Sequence, residues 1–143
     1  MKILRIAVGA VVAAFGLFSL FPVATDVLYK AGALAKPAGE AAGMTALWAA
    51  TPWWQLGASA AVAALFLAIG WRLVRRRPAL GLYVAALVAD AVLWWIMHSA
   101  AAYQQVFTPT EVQIDYDIVL AVAVAGALIW WVERRPMGEA ASA

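Results

Sequence analysis

Four long apolar stretches, each carrying at most one formal charge, constrain this chain more than any other feature. They cover residues 3–24, 54–72, 79–103 and 116–132. A helix needs about 20 mainly apolar residues to cross roughly 30 Å of hydrocarbon, and each stretch falls in or near that range. Strands of a membrane barrel show about ten alternating residues instead, so these runs read as helices. The sequence therefore predicts an all-α integral membrane protein, a four-transmembrane-helix bundle in a single domain. Composition agrees: 66% of residues are hydrophobic and 13% charged, far from the balance of a soluble domain. Cysteine is absent, which removes disulfide scaffolds, thiolate metal sites and thiol redox chemistry.

The first stretch reads as a retained helix. Its apolar run is longer than the core of a secretory signal, and the better small-x-small pattern, Ala33-Leu34-Ala35, lies beyond it. Threading four helices puts Lys2, Arg5, Arg72, Arg75, Arg76, Arg77, Arg134 and Arg135 on one side. Lys30 and Lys36 fall opposite, with Asp26, Glu40, Glu111, Asp115 and Asp117. Basic residues beside short loops stay in the cytoplasm. Both termini and the inner turn, residues 73–78, are thus expected to be cytoplasmic. Arg75, Arg76 and Arg77 set topology and suit anionic lipid headgroups. Pro78 is expected at the first position of the third helix. The tail covers residues 133–143.

The outer loops are expected over residues 25–53 and 104–115. In the first, Met44, Leu47 and Trp48 fall at helical spacing before Pro52, Trp53 and Trp54, which suits a short interfacial helix. The second is polar, with Pro109, and Thr110 is offered as a cap with Gln113 three residues on. Small residues form stripes that allow close helix packing: Gly9, Ala13 and Gly16; Gly57, Ala61, Ala64 and Ala68; Ala121, Ala125 and Leu128, or Ala123 and Ala127. Trp48, Trp53 and Trp54 on one side, and Trp71, Trp130 and Trp131 on the other, read as interface anchors.

Asp90 stands apart. It lies about 11 residues, or roughly 16 Å, into the third helix, near the bilayer midplane. An acid there costs at least about 2.5 kcal/mol and marks a functional position by default. Tyr83, Leu87, Trp94 and Met97 share its face, so Asp90, Tyr83, Trp94 and Met97 form the candidate intramembrane site. No basic or amide side chain of the other spans lies at its depth. Its partners within the chain reduce to Tyr83, a water, or a carbonyl bared beside a glycine such as Gly16. His98, the sole histidine, with Glu111, Asp115 and Asp117, forms a candidate outer-face group. The simpler readings are an interfacial histidine, and acids that favour the helix dipole in the first turn of the fourth helix.

The residues also exclude functions. A single histidine cannot supply bis-histidine haem ligation, and no phosphate loop, nucleophile elbow or zinc motif is present. No cofactor, metal or nucleic-acid partner is implied. Quinone-linked disulfide formers, vitamin K reductases, tetraspanins and claudins need cysteines, and small multidrug transporters need an acid in the first helix. In size and topology the chain resembles DoxX-type four-helix proteins, a likeness of architecture rather than of motif.

The expectation is a small multi-pass protein of a bacterial inner membrane, non-catalytic and accessory to a larger complex. Its partners would be lipid and other membrane subunits or further copies of itself. Two other readings stand beside it. One is an oligomeric proton-coupled small-molecule transporter using Asp90. The other is a quinone- or lipid-interacting protein.

Overall fold

The computed structural model describes residues 2–35, 42–106 and 109–134, which are helical with no strand. The long helices are α1 (Lys2–Lys30), α3 (Trp53–Val74), α4 (Leu80–His98) and α6 (Pro109–Arg134). Two short helices, α2 (Ala42–Ala50) and α5 (Ala101–Val106), stand in the connections. Four helices are long and apolar enough to cross a membrane. Lys36, Glu40, Arg135 and the rest of the tail lie outside the described residues. The long helices form a ring in which α1 meets α3, α3 meets α4, α4 meets α6 and α6 meets α1. Among the described residues the backbones of the diagonal pairs stay apart.

Local chemistry explains the helix ends. α1 runs past residue 24, the expected limit, through Pro22 to Lys30. Pro22 lacks an N–H and lies on an exposed face. The hydroxyls of Ser19 and Thr25 donate to the carbonyls of Phe15 and Phe21 at 2.9 and 2.6 Å on either side of it. The helix stops at Gly32, whose φ of +73° is left-handed. There the Gly32 N–H reaches Tyr29 and the Ala33 N–H reaches Leu28, the double bond of a Schellman end. α3 ends in the same way, with the Arg76 N–H on Leu73 and the Arg77 N–H on Arg72. Arg76 takes the left-handed position at φ +58°, which costs a side-chain-bearing residue on the order of 1 kcal/mol. Arg72 holds this turn by donating from Nε and Nη2 to the Pro78 carbonyl at 3.0 and 2.8 Å. Pro78 therefore precedes α4, whose N-cap is Ala79; it is not the first helical residue.

The Glu133 carboxylate then ties three elements together. It accepts the Ala79 N–H at 2.7 Å and the Leu80 N–H at 3.4 Å, and lies 3.8 Å from Arg5. A carboxylate at a helix N-terminus is favourable. This contact also places the start of α1 and the end of α6 at one end of the bundle.

Glycine sets the tightest packing. A Cβ on Gly9 would come within 2.9 Å of the Gly70 carbonyl. One on Gly70 would meet the Gly9 carbonyl at 2.5 Å, and one on Gly16 the Ala63 carbonyl at 2.8 Å. The Gly9, Ala13 and Gly16 stripe thus lies against α3. The stripe expected to answer it does not: Gly57, Ala61, Ala64 and Ala68 all face outward. The packing side of α3 is Val62, Ala63, Phe66, Ile69, Gly70 and Leu73 instead. Phe66 and Ile69 give that side more van der Waals contact than an alanine stripe would.

Further expectations are corrected. α6 buries Val122, Ile129 and Val132 and sets Gly126 against Tyr83, rather than an alanine stripe. Trp48 is buried beside Tyr29, the rings 4.4 Å apart and stacked, and does not stand as a surface anchor. The third span, expected over 79–103, breaks at residues 99–100, and the polar loop expected over 104–115 is largely helix. α6 opens on Pro109, a favoured first residue, and so Thr110 lies inside the helix rather than at its cap. Asp115 and Asp117 consequently sit in its second and third turns, too deep for the dipole argument.

Gly70→Ala should lower thermal stability in detergent by about 1–3 kcal/mol, the cost of overpacking against backbone. Gly57→Ala has nothing within 4 Å of the new methyl and should be neutral or stabilising. Equal losses from the two substitutions would refute this assignment of faces.

Candidate functional site

The midspan acid lines a cleft between α4 and α6. Leu87, Asp90, Ala91 and Trp94 contribute from α4, and Tyr116, Ile118, Val119 and Val122 from α6, around a volume of about 260 Å³. Only Tyr83 and Ala86 of α4 are buried, so this helix leans on its neighbours lightly. Tyr83 lies at the floor of the contact, 1% exposed. Its hydroxyl donates to the Val122 carbonyl, its ring covers Gly126, and its edge meets Phe66 at 5.9 Å. Such a bond contributes about 1 kcal/mol, and it locks α6 to α4 just below the acid.

Tyr83 is therefore engaged with α6 and does not hydrogen-bond Asp90. The Asp90 carboxyl has no hydrogen bond or ion pair among the described residues, and its surroundings in the cleft are aliphatic and aromatic. One turn further on, the Trp94 indole N–H is buried without an acceptor among the described residues. The two groups share a helix face at i and i+4. The cleft thus offers one acceptor and one donor, both unanswered among the described residues.

Met97, grouped with Asp90 by its spacing, lines a different site. The two ends of α4 meet different neighbours, so one helical stripe serves two cavities. The indole of Trp94 lies against the His98 ring at 3.7 Å and edge-on to Tyr116 at 5.4 Å; His98 in turn faces Tyr103 at 4.3 Å. His98 Nδ1 donates to the Trp94 carbonyl at 3.2 Å. Among the described residues this histidine is part of an aromatic stack with Trp94 and Tyr103. Asp117 is exposed and accepts from Gln113 Nε2 at 3.2 Å, while the side chains of Glu111 and Asp115 lie outside the described residues. Arg75, Arg76 and Arg77 are exposed, and the Arg75 guanidinium covers Trp71 at 4.4 Å.

The second cavity, about 400 Å³, lies at the end opposite the arginine turn. Its apolar wall includes Pro22, Val23, Leu47, Leu56 and Met97, and its polar lining includes Asp26, Lys30, Thr51, Gln55 and Ser59. Lys30 Nζ donates to the Trp48 and Ala49 carbonyls at 2.7 and 3.2 Å, which closes the end of α2. Trp48 Nε1 donates to Asp26 Oδ1 at 3.0 Å. Asp26 and Lys30 sit four residues apart on α1, and Gln55 lies in the first turn of α3. Sequence reasoning left this cluster out because Asp26 and Lys30 were assigned to a loop. Extending α1 through Pro22 is what places both on one helical face. No family model matches the sequence, and no curated protein or solved structure matches it either.

Proposed function

We propose that this is a multi-pass protein of a bacterial inner membrane with its arginine-rich end in the cytoplasm. It acts there as a non-catalytic subunit or assembly partner of a larger membrane complex. The observation that carries this reading is Asp90, an acid midway along a membrane helix with no hydrogen-bond or ion-pair partner among the described residues. Intramembrane acids pair with one another, with bases or with backbone groups, and the buried Trp94 N–H beside it lacks an acceptor among the described residues as well. A partner helix seated in the α4–α6 cleft and presenting an amide side chain answers both groups, its NH2 donating to Asp90 and its carbonyl accepting from Trp94; a basic side chain answers Asp90 alone. The apolar lining of the cleft suits such a helix better than a water-filled path for a transported solute. The exposed outward stripe of α4, Val84, Val88, Val92 and Trp95, extends the apolar surface around the cleft. α2, with its buried Trp48, fits a position near the lipid interface.

Gentle extraction and native sizing test the assignment. Wild type should run in a complex containing another polypeptide, and Asp90→Asn should release that polypeptide while the chain itself stays folded. A wild-type monomer or homodimer would oppose the proposal. An intact Asp90→Asn complex that has lost transport of a solute would favour the carrier reading. Orientation is tested separately, since the chain has no cysteine. Arg76→Cys should react with an impermeant maleimide only from the cytoplasmic side, and Ala33→Cys only from the other. The reverse pattern would invert the topology.

A further inference from the structure

Gln55 is 9% exposed, and its carboxamide makes no hydrogen bond among the described residues. A glutamine three residues after an N-cap usually returns a bond to the N-cap N–H. Here the N-cap is Pro52, which has no N–H to donate. The amide is therefore released from the one structural task its position offers. Gln55 lines both the 400 Å³ cavity and a neighbouring one of about 220 Å³, and Met97 lines both as well. The smaller cavity extends past Trp54 and Ile96, which are exposed on the flank of the bundle.

We infer that these adjoining cavities bind a neutral amphiphile with a hydroxyl head. The Gln55 amide N–H donates to the hydroxyl oxygen, the hydroxyl donates to Asp26, and the apolar tail passes Met97 towards Trp54. Two features set the chemistry of the head. Asp26 and Lys30 both line the larger cavity, so a carboxylate head meets an acid and a cationic head meets a base. The Lys30 ammonium is also committed to two carbonyls, which weakens its appeal to an anion. A carboxamide both donates and accepts, as a hydroxyl does. The larger volume lies within the range of small-ligand sites, about 300–1,000 Å³.

Binding to the full chain in lipid nanodiscs tests the inference with probes that share a ten-carbon tail. They are decylglycerol, decyl hydroquinone, decyl methyl ether, decanoate and decyltrimethylammonium. At least one hydroxyl probe should bind about tenfold or more tightly than the ether, the anion and the cation, the difference expected for one or two hydrogen bonds. Which of the two binds more tightly separates an aliphatic from a phenolic ligand. Gln55→Leu should abolish that preference. Met97→Trp, which fills the cavity without touching a polar group, should weaken binding of the preferred probe about tenfold. Equal binding of all five heads would mean partition into lipid and would overturn the site. So would an unchanged head preference in Gln55→Leu, or unchanged affinity in a folded Met97→Trp. Asp90→Asn should leave the head preference intact, so failure here and failure of the docking proposal are separately visible.

Discussion

The structure depends on one backbone-to-backbone contact. Lipid tails are as apolar as leucine, so membrane helices gain little by hiding leucine from them and associate through close packing and polar contacts. α1 and α3 use the first device. Gly9, Gly16 and Gly70 let the two backbones approach until no Cβ fits between them. This pair is the platform on which the rest is arranged. Phe15 and Phe66 meet edge-on at 5.1 Å above it, and Phe66 passes the contact on to Tyr83.

The other half of the ring is built differently. α4 and α6 are joined by a tyrosine hydroxyl on a carbonyl, one ring over Gly126, and the Glu133 carboxylate at the start of α4. These are a few specific contacts in place of a continuous seam. Between them a cleft remains, with Asp90 in it. A tight pair and a loose pair in one small bundle is the division expected if one half supports and the other receives a partner.

The four helices were legible because apolar runs of this length have few alternative folds. The shared end of α1 and α6 was legible in the alternating sides of the basic residues. Asp90 was legible for the same reason in reverse, as a charge that no loop or interface explained. Helix faces and ends were less so. α3 is apolar nearly all round, so spacing alone did not show that Gly70 faces α1 while Gly57 faces outward. Pro22 and the polar run before Tyr116 read as ends because proline and charge usually stop a helix. Here flanking hydroxyls carry α1 through, and Pro109 starts α6. The Asp26, Trp48 and Gln55 cavity was invisible for a third reason. Its walls come from α1, α2, α3, α4 and α5, and nothing in the spacing of one segment announces the others.

The claim on which this account turns is that the α4–α6 cleft receives another membrane polypeptide at Asp90. Photocrosslinking in native membranes from a benzophenone side chain placed at Val119, which lines that cleft, addresses it most directly. The account predicts a crosslink to a different membrane polypeptide, and its loss when Asp90→Asn is added. Crosslinks to lipid alone, or to a second copy of this chain regardless of residue 90, would contradict it.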